Sequence, residues 1–166
     1  TTFSADQLSQ PATGQGTYIV ESCVTVNITK YWDADEDGAR DGTEVGIPSW
    51  QFTVSTDLGS FLAAATTDLN GHASVDLPAG SYVVTETIPG SPDPLVPDWA
   101  ATTPAGSPST SQAFAVTVGG GNQDLLFGNG CLCAEDTDSN LCTVRTCVAS
   151  GLSANPVVCS DETAID

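Results

Sequence analysis

The segment Val24-Thr-Val-Asn-Ile-Thr-Lys-Tyr-Trp32 runs directly into Asp33-Ala-Asp-Glu-Asp-Gly-Ala-Arg-Asp-Gly-Thr-Glu44, and no other part of the chain says as much about its architecture. Apolar and polar residues alternate in the first segment, which predicts a β-strand with one buried face. The second segment has oxygen-bearing side chains at positions 1, 3, 5, 9 and 12 of a twelve-residue loop, a pattern typical of calcium binding. Because neither flank has helical periodicity, we expect a calcium-binding β-domain.

The predicted calcium ligands follow from the chemistry of the ion, which takes six to eight hard oxygen ligands. Gly38 permits the sharp turn at position 6, the main-chain carbonyl of Ala39 occupies position 7, and Glu44 closes the site with both carboxylate oxygens. The six predicted ligands are Asp33, Asp35, Asp37, Ala39, Asp41 and Glu44. The alternative is an acidic turn that is merely solvated.

Between residues 24 and 129 the chain is a series of short segments that fit β-strands, separated by turns rich in Gly, Pro, Asn and Asp. Beyond the first strand, these segments are residues 50–55, 61–67, 75–77, 81–88, 114–118 and 125–127. Residues 89–108 contain most of the ten prolines, so we expect a long surface connection there. The pattern predicts an all-β fold, an antiparallel β-sandwich of two packed sheets.

The composition limits the possible partners. Lys and Arg number 3 against 21 Asp and Glu, giving a net charge of −18, which repels nucleic acid and anionic membranes alike. No apolar run reaches the roughly 18 residues of a membrane span, so we expect no membrane insertion. We expect a secreted protein at the cell surface whose leader has been removed.

The cysteines favour an oxidising compartment, because five of the six lie near the end of the chain with spacings that fit no common zinc site. The candidate disulfide cysteines are Cys23, Cys131, Cys133, Cys142, Cys147 and Cys159. Three bridges are possible in fifteen arrangements, and one of them can tie the tail to the first strand. We therefore predict an extended lead segment (residues 1–23), a sandwich (24–129) and a disulfide-stapled tail (130–166).

Several motifs in the sandwich region together carry a family likeness. They are residues 30–38 (KYWDADEDG), 44–50 (EVGIPSW), 66–71 (TTDLNG), 77–87 (LPAGSYVVTET) and 127–129 (FGN). In this order they resemble the B-type repeat domains of serine-aspartate repeat surface proteins and the collagen-adhesin B-type domains of Gram-positive pili. The resemblance covers residues 24–129 and implies a prealbumin-like or immunoglobulin-like sandwich that serves as a stalk, spacer or fibre module, often rigidified by calcium.

The resemblance also implies an intramolecular isopeptide bond, which many relatives form between a Lys on the first strand and an Asn on the last, assisted by an acidic residue. Lys30, Asn129 and Glu86 occupy similar places here. Side-chain alternation along the strands independently points all three at the core. Burial would favour a neutral amine and a protonated carboxyl, the states that amide formation requires. The alternative is a simple ion pair between Lys30 and Glu86.

These observations favour a non-enzymatic extracellular structural protein, a subunit of a pilus-like fibre or surface filament. Strands outside a complete sandwich can pair with a sheet edge of a neighbouring copy, and such head-to-tail strand addition builds a homopolymer. The alternative is an adhesive module that recognises a host protein or glycan, with Trp32, Trp50 and Trp99 as candidate sugar contacts. Trp50, however, shares its face with Phe52 and Val54, a position more typical of the core. An enzyme is disfavoured, because the sequence has no Ser-His-Asp order, phosphate loop or Cys-His pair.

Overall fold

The computed structural model describes residues 23–90, 97–104, 110–117, 119–133, 143–144, 147–152, 156–160 and 163–164. Its strands are β1 (Val24–Trp32), β2 (Gln51–Thr56), β3 (Phe61–Thr66), β4 (His72–Leu77), β5 (Gly80–Thr87), β6 (Asp98–Thr103), β7 (Ser111–Val116), β8 (Gln123–Leu132), β9 (Thr143–Val144), β10 (Cys147–Ala149), β11 (Val157–Cys159) and β12 (Thr163–Ala164). Among these described residues there is no helix long and apolar enough to cross a membrane.

Two four-stranded sheets form the sandwich, with strand orders β4-β1-β8-β6 and β3-β2-β5-β7. The predicted all-β sandwich is therefore confirmed. The first sheet is mixed, because β1 and β8 run parallel while β4 and β6 pair antiparallel to them. In the parallel register Lys30 lies opposite Phe127, and Trp32 lies opposite Asn129. The first and last strands of the sandwich are thus hydrogen-bonded neighbours.

The core lies between the two sheets and follows the alternation of the strands. On β1 every second residue from Val24 to Ile28 is buried, while the residues between them are only partly covered. Phe52 on β2 and Phe127 on β8 meet across the sandwich with ring centroids 4.9 Å apart. Burying each large apolar side chain fully stabilises the fold by about 1.5–3 kcal/mol, and the central strands β1, β2, β5 and β8 carry most of these side chains.

The proline-rich region 89–108 differs from the predicted surface connection, because strand β6 lies within it and pairs with β8. Pro97 and Pro104 flank β6 and do not interrupt it. β6 is also an edge strand, where only one side of the backbone needs sheet partners. The count of prolines over the whole region therefore hid a proline-free strand of six residues.

Two disulfides attach the tail to the end of β8. They join Cys131 to Cys147 and Cys133 to Cys159, and the strands β10 and β11 that receive them form an antiparallel hairpin. Val157 of this hairpin is buried. The tail hairpin is thus held to the sandwich by two disulfides that attach two residues apart at the end of β8.

The predicted bridge from the first strand does not form among the described cysteines, since Cys23 is exposed with a free thiol. The parallel pairing explains this. Cys23 precedes β1 at the end of the sheet where β8 begins, whereas Cys131 and Cys133 lie where β8 ends. The length of β1, roughly 26 Å at 3.3 Å per residue, separates the two ends. Cys142 and residues 1–22 of the predicted lead segment lie outside the described residues.

Candidate functional site

Lys30 points into the core because two turns hold its backbone. Its N–H donates to the carbonyl of Gly71 (2.7 Å), and its carbonyl accepts from the N–H of Ile47 (3.0 Å). A Cβ on Gly71 would lie 2.2 Å from the Lys30 carbonyl oxygen, and Gly71 has φ +79°, so only glycine fits. The motifs at residues 44–50 and 66–71 therefore together fix the backbone position of Lys30.

The Lys30 amine contacts both partners that the sequence proposed for it. Its Nζ lies 3.0 Å from Oε2 of Glu86, which projects from β5 of the opposite sheet. The same Nζ donates to Oδ1 of Asn129 and lies 3.3 Å from the carbonyl oxygen of Phe127. Lys30 and Asn129 are 0 % exposed and Glu86 is 3 % exposed. The structure thus brings the three residues together out of contact with water.

Burial changes the protonation of this group in the direction that amide formation needs. Desolvation lowers the pKa of the Lys30 amine to about 8, although the charge of Glu86 opposes this. Desolvation also raises the pKa of the Glu86 carboxyl, and the nearby Lys30 opposes that shift in turn. Both shifts favour a neutral amine beside a protonated carboxyl over the charged pair.

Two further features of the pocket around Lys30 matter for its chemistry. The Trp50 ring lies 4.6 Å from Lys30 Nζ and covers it with apolar surface. Asn129 Nδ2 is buried with no hydrogen-bond partner among the described residues. The amide nitrogen is therefore not held in place by any described neighbour, whereas the amide oxygen is fixed by the lysine.

In the acidic loop, the carboxylates of Asp33, Asp35 and Asp37 converge to within 4.8 Å of one another. Asp33 is 0 % exposed, and its Oδ2 accepts from the N–H of Gly38 at 2.9 Å. Its Oδ1 is buried with no hydrogen-bond partner among the described residues. A buried carboxylate oxygen without a partner is costly in water-excluded surroundings. The arrangement fits a hard cation bound by these three carboxylates.

The other three predicted ligands lie outside this converging group. Both oxygens of Glu44 accept main-chain N–H groups, from Ala34 at 2.8 Å and from Asp41 at 3.1 Å, and burial raises the pKa of Glu44. Asp41 Oδ1 accepts from the N–H and the hydroxyl of Thr43, which lowers the pKa of Asp41. The N–H of Ala39 donates to Asp37. In this structure Glu44 closes the loop through hydrogen bonds.

The loop is attached to the strands that carry the buried amine and amide, a link that the sequence analysis missed. The N–H of Asp33 donates to the carbonyl of Asn129 at 3.0 Å. Thr103 on β6 donates its hydroxyl to the Gly38 carbonyl at 2.5 Å, and Tyr31 donates to Thr103 at 3.2 Å. The sequence signal for this link was the aromatic Tyr31, which stands on the otherwise polar face of β1 and so breaks its alternation. In the structure Lys30 and Tyr31 are consecutive and both buried.

An apolar cavity of about 370 Å³ lies between the sandwich and the tail hairpin. Its lining includes Trp50, Pro97, Trp99 and Val157. The two tryptophans pack edge to face with ring centroids 5.7 Å apart, and Trp50 is only 4 % exposed. Trp32 and Trp99 are partly buried against the core. Trp50 is therefore largely a core residue and offers little surface on which a sugar could stack.

Comparisons with known proteins add evidence on the fold. No family model matches the chain. No curated protein matches it either. Among solved structures, the shaft pilin SpaA from Lactobacillus rhamnosus GG is similar with a TM-score of 0.50 and 15 % identity, covering 76 % of this chain and 60 % of that one.

Two further similar structures come from other bacteria. The minor pilin of Streptococcus agalactiae has a TM-score of 0.48 at 15 % identity, covering 74 % of this chain and 50 % of that one. The Bacillus anthracis TIE protein has a TM-score of 0.43 at 18 % identity, covering 75 % and 21 %. The chain thus spans three-fifths or less of the length of each of these three neighbours. At these identities the similarity to the shaft pilin concerns the fold alone.

Proposed function

We propose that this chain is an extracellular structural subunit of a pilus-like fibre, whose sandwich is locked by an amide cross-link between Lys30 and Asn129. The observation that carries the proposal is the buried contact of Lys30 with both Glu86 and Asn129. Burying a lysine and a glutamate in a small core is costly, and replacing such a pair with well-packed apolar side chains is often neutral or stabilising. Stability therefore does not explain the pair, whereas a reaction of Lys30 with Asn129, assisted by Glu86, does.

The proposed reaction balances within the three side chains. The neutral Lys30 Nζ attacks Cγ of Asn129, so that a new C–N bond forms and the Cγ–Nδ2 bond breaks. Glu86 in its protonated form donates its proton toward the amide, accepts one from the lysine nitrogen, and ends unchanged. Nδ2 leaves as ammonia. Exclusion of water by Trp50 and the surrounding core protects the amine from hydration during the attack.

The position of the cross-link suits a protein that carries tension. β1 and β8 are the first and last strands of the sandwich, and they lie side by side in parallel. Tension that enters before β1 and leaves after β8 would otherwise be borne by the hydrogen bonds of the core. A covalent bond between Lys30, near the end of β1, and Asn129, near the end of β8, would carry this tension directly from one strand to the other. The chain between the two residues would then not be pulled apart by the force.

The acidic loop is part of the same proposal as a calcium site. Asp33, Asp35 and Asp37 would hold the ion, which supplies positive charge that offsets the repulsion between their converging carboxylates. Extracellular sites of this kind have dissociation constants of about 10⁻⁴–10⁻³ M, so the loop would be filled outside cells and empty inside.

Assembly would be homopolymeric, by addition of a terminal segment of one copy to a sheet edge of the next. Both sheets of the described sandwich have open edges, formed by β4 and β6 in one and by β3 and β7 in the other. A net charge of −18 opposes non-specific association of copies, so a fibre needs a specific backbone contact of this type.

Peptide mapping and electron microscopy test the proposal. Digestion of the purified native protein should release a branched peptide that contains both Lys30 and Asn129, and it should be missing from a Lys30→Arg variant. Negative-stain images of material taken from the source cells should show regular threads that antibodies to this chain decorate. Linear peptides alone would exclude the cross-link, and discrete unassembled particles would exclude the fibre.

A further inference from the structure

The acidic loop and the cross-linking residues share the same two strand ends. Asp33 follows Lys30 by three positions at the end of β1, and its N–H donates to the main-chain carbonyl of Asn129. Glu36 lies over the next residue of β8, since a Cβ on Gly130 would come within 2.7 Å of its Oε1. The loop thus packs on β8 at Asn129, the residue whose side-chain amide contacts the Lys30 amine.

The acidic loop also concentrates negative charge close to Lys30 and Asn129. Three carboxylates converge, and one of them, Asp33, is fully buried with an unpartnered oxygen. Without a cation, their mutual repulsion favours opening of the loop, which would release the Asp33–Asn129 main-chain hydrogen bond. The negative charge of Asp33 also raises the pKa of Lys30 and so favours the unreactive ammonium form. Both effects oppose reaction.

We propose that cation binding by the acidic loop promotes the Lys30–Asn129 cross-link, by closing the loop onto β8 and by neutralising the carboxylate charge next to the amine. This inference rests on the cross-link of the proposed function. Asp33 is then a positioning residue that acts through the backbone of Asn129. A chain of this kind would stay uncross-linked where calcium is scarce and lock itself where calcium is abundant, after export.

The rate of ammonia loss tests the inference on the full chain. Protein recovered unfolded from inclusion bodies, whose intact mass shows that no ammonia has yet been lost, is refolded with calcium at about pH 5, where the lysine is protonated, and its fold is checked by circular dichroism. It is then transferred to about pH 8 with either millimolar calcium or a chelator, and intact mass is followed with time. We expect the reaction to be roughly 10- to 100-fold faster with calcium, the penalty typical of small misplacements of reacting groups.

Matched variants separate the loop from general charge effects. Asp35→Asn should shift the calcium dependence of the rate to higher concentrations, whereas Asp57→Asn, an exposed acidic residue in another turn, should leave it unchanged. Equal rates with calcium and chelator in folded protein would overturn this inference and leave the cross-link standing. Absence of ammonia loss under every condition would instead remove the cross-link itself.

A second readout does not depend on the reaction. In a Lys30→Met, Glu86→Gln double variant, which removes the nucleophile and the buried charge together, calcium should slow hydrogen exchange of the Asp33 amide by about tenfold or more. Exchange that is unaffected by calcium would show that the loop does not clamp β8, and would overturn the proposed coupling.

Discussion

Lys30 on β1 donates a hydrogen bond to the side chain of Asn129 on β8, the parallel neighbouring strand. Both residues are fully buried. Lys30 also reaches Glu86 on the opposite sheet. This one amine therefore connects both sheets of the sandwich, and within one sheet it connects the first and last strands of the sandwich in chain order.

Removal of the acid should stop the cross-link. In Glu86→Gln the side chain keeps its size but can no longer accept and return a proton, so we expect the chain to retain its full mass. The variant also leaves Lys30 buried without a counter-charge, which costs about 3–5 kcal/mol of stability when one partner of a buried pair is lost. Intact mass and thermal melting measure the two effects. Asp76→Asn on the exposed face of β4 is the control, and full cross-linking in Glu86→Gln would contradict the role of Glu86.

The pH dependence of the reaction follows from the direction of the two pKa shifts. Only the neutral amine attacks, so burial, which lowers the pKa of Lys30 from 10.5 to about 8, should move the rise of the rate to lower pH than an exposed lysine would give. The reaction also needs the protonated Glu86 carboxyl, so the rate should decline at higher pH, and burial moves that decline above the usual range of a carboxyl because it raises the pKa of Glu86. Initial rates of ammonia loss after a pH jump give the profile. A rate that is still rising steeply at pH 10 would mean that the lysine is not desolvated.

Calcium should stabilise the folded chain, because the ion binds the closed loop and not the unfolded chain. At tenfold excess over the dissociation constant the gain is about 1.4 kcal/mol, and it should disappear with chelator. Thermal melting with and without chelator measures it. Asp37→Asn should reduce the shift, and Asp57→Asn should preserve it. A melting temperature that is the same in millimolar calcium and in chelator would exclude the site.

Loss of the tail disulfides should destabilise the tail hairpin and leave the sandwich intact. The bridges close loops with sequence separations of 16 and 26, which corresponds to about 3 kcal/mol each in the chain-entropy model. The sandwich core does not include them, so a variant in which Cys131, Cys133, Cys147 and Cys159 are all replaced by Ser should become protease-sensitive at β10 and β11 only. Limited proteolysis with mass identification maps the cuts. Cleavage within β1 or β8 at the same protease dose would show that the bridges support the whole domain.

Local sequence patterns were sufficient to predict most of the sandwich and the burial of its key residues. Alternation alone places Lys30, Glu86 and Asn129 on inward faces, because side chains of a strand alternate with a period of two. The spacing of acidic residues likewise brings Asp33 and Asp37 together, since the turn at Gly38 folds the loop back on itself. These features depend on neighbours that are close in sequence.

The features that the sequence did not reveal depend on contacts between distant segments. The parallel pairing of β1 with β8 decides both that Asn129 reaches Lys30 and that Cys23 lies far from Cys131. The hydrogen bond from Thr103 to the loop requires β6, a strand concealed between prolines. No periodicity in one segment determines which other segment it will meet.

The mass of the intact, fully reduced and denatured protein tests the central claim most directly. Cross-linking between Lys30 and Asn129 removes one ammonia, so the account predicts a mass lower than that of the sequence by that amount, with the deficit abolished in Lys30→Arg and in Asn129→Ala. A mass equal to that of the unmodified sequence, for protein that had folded correctly and matured in calcium before it was denatured, would contradict it.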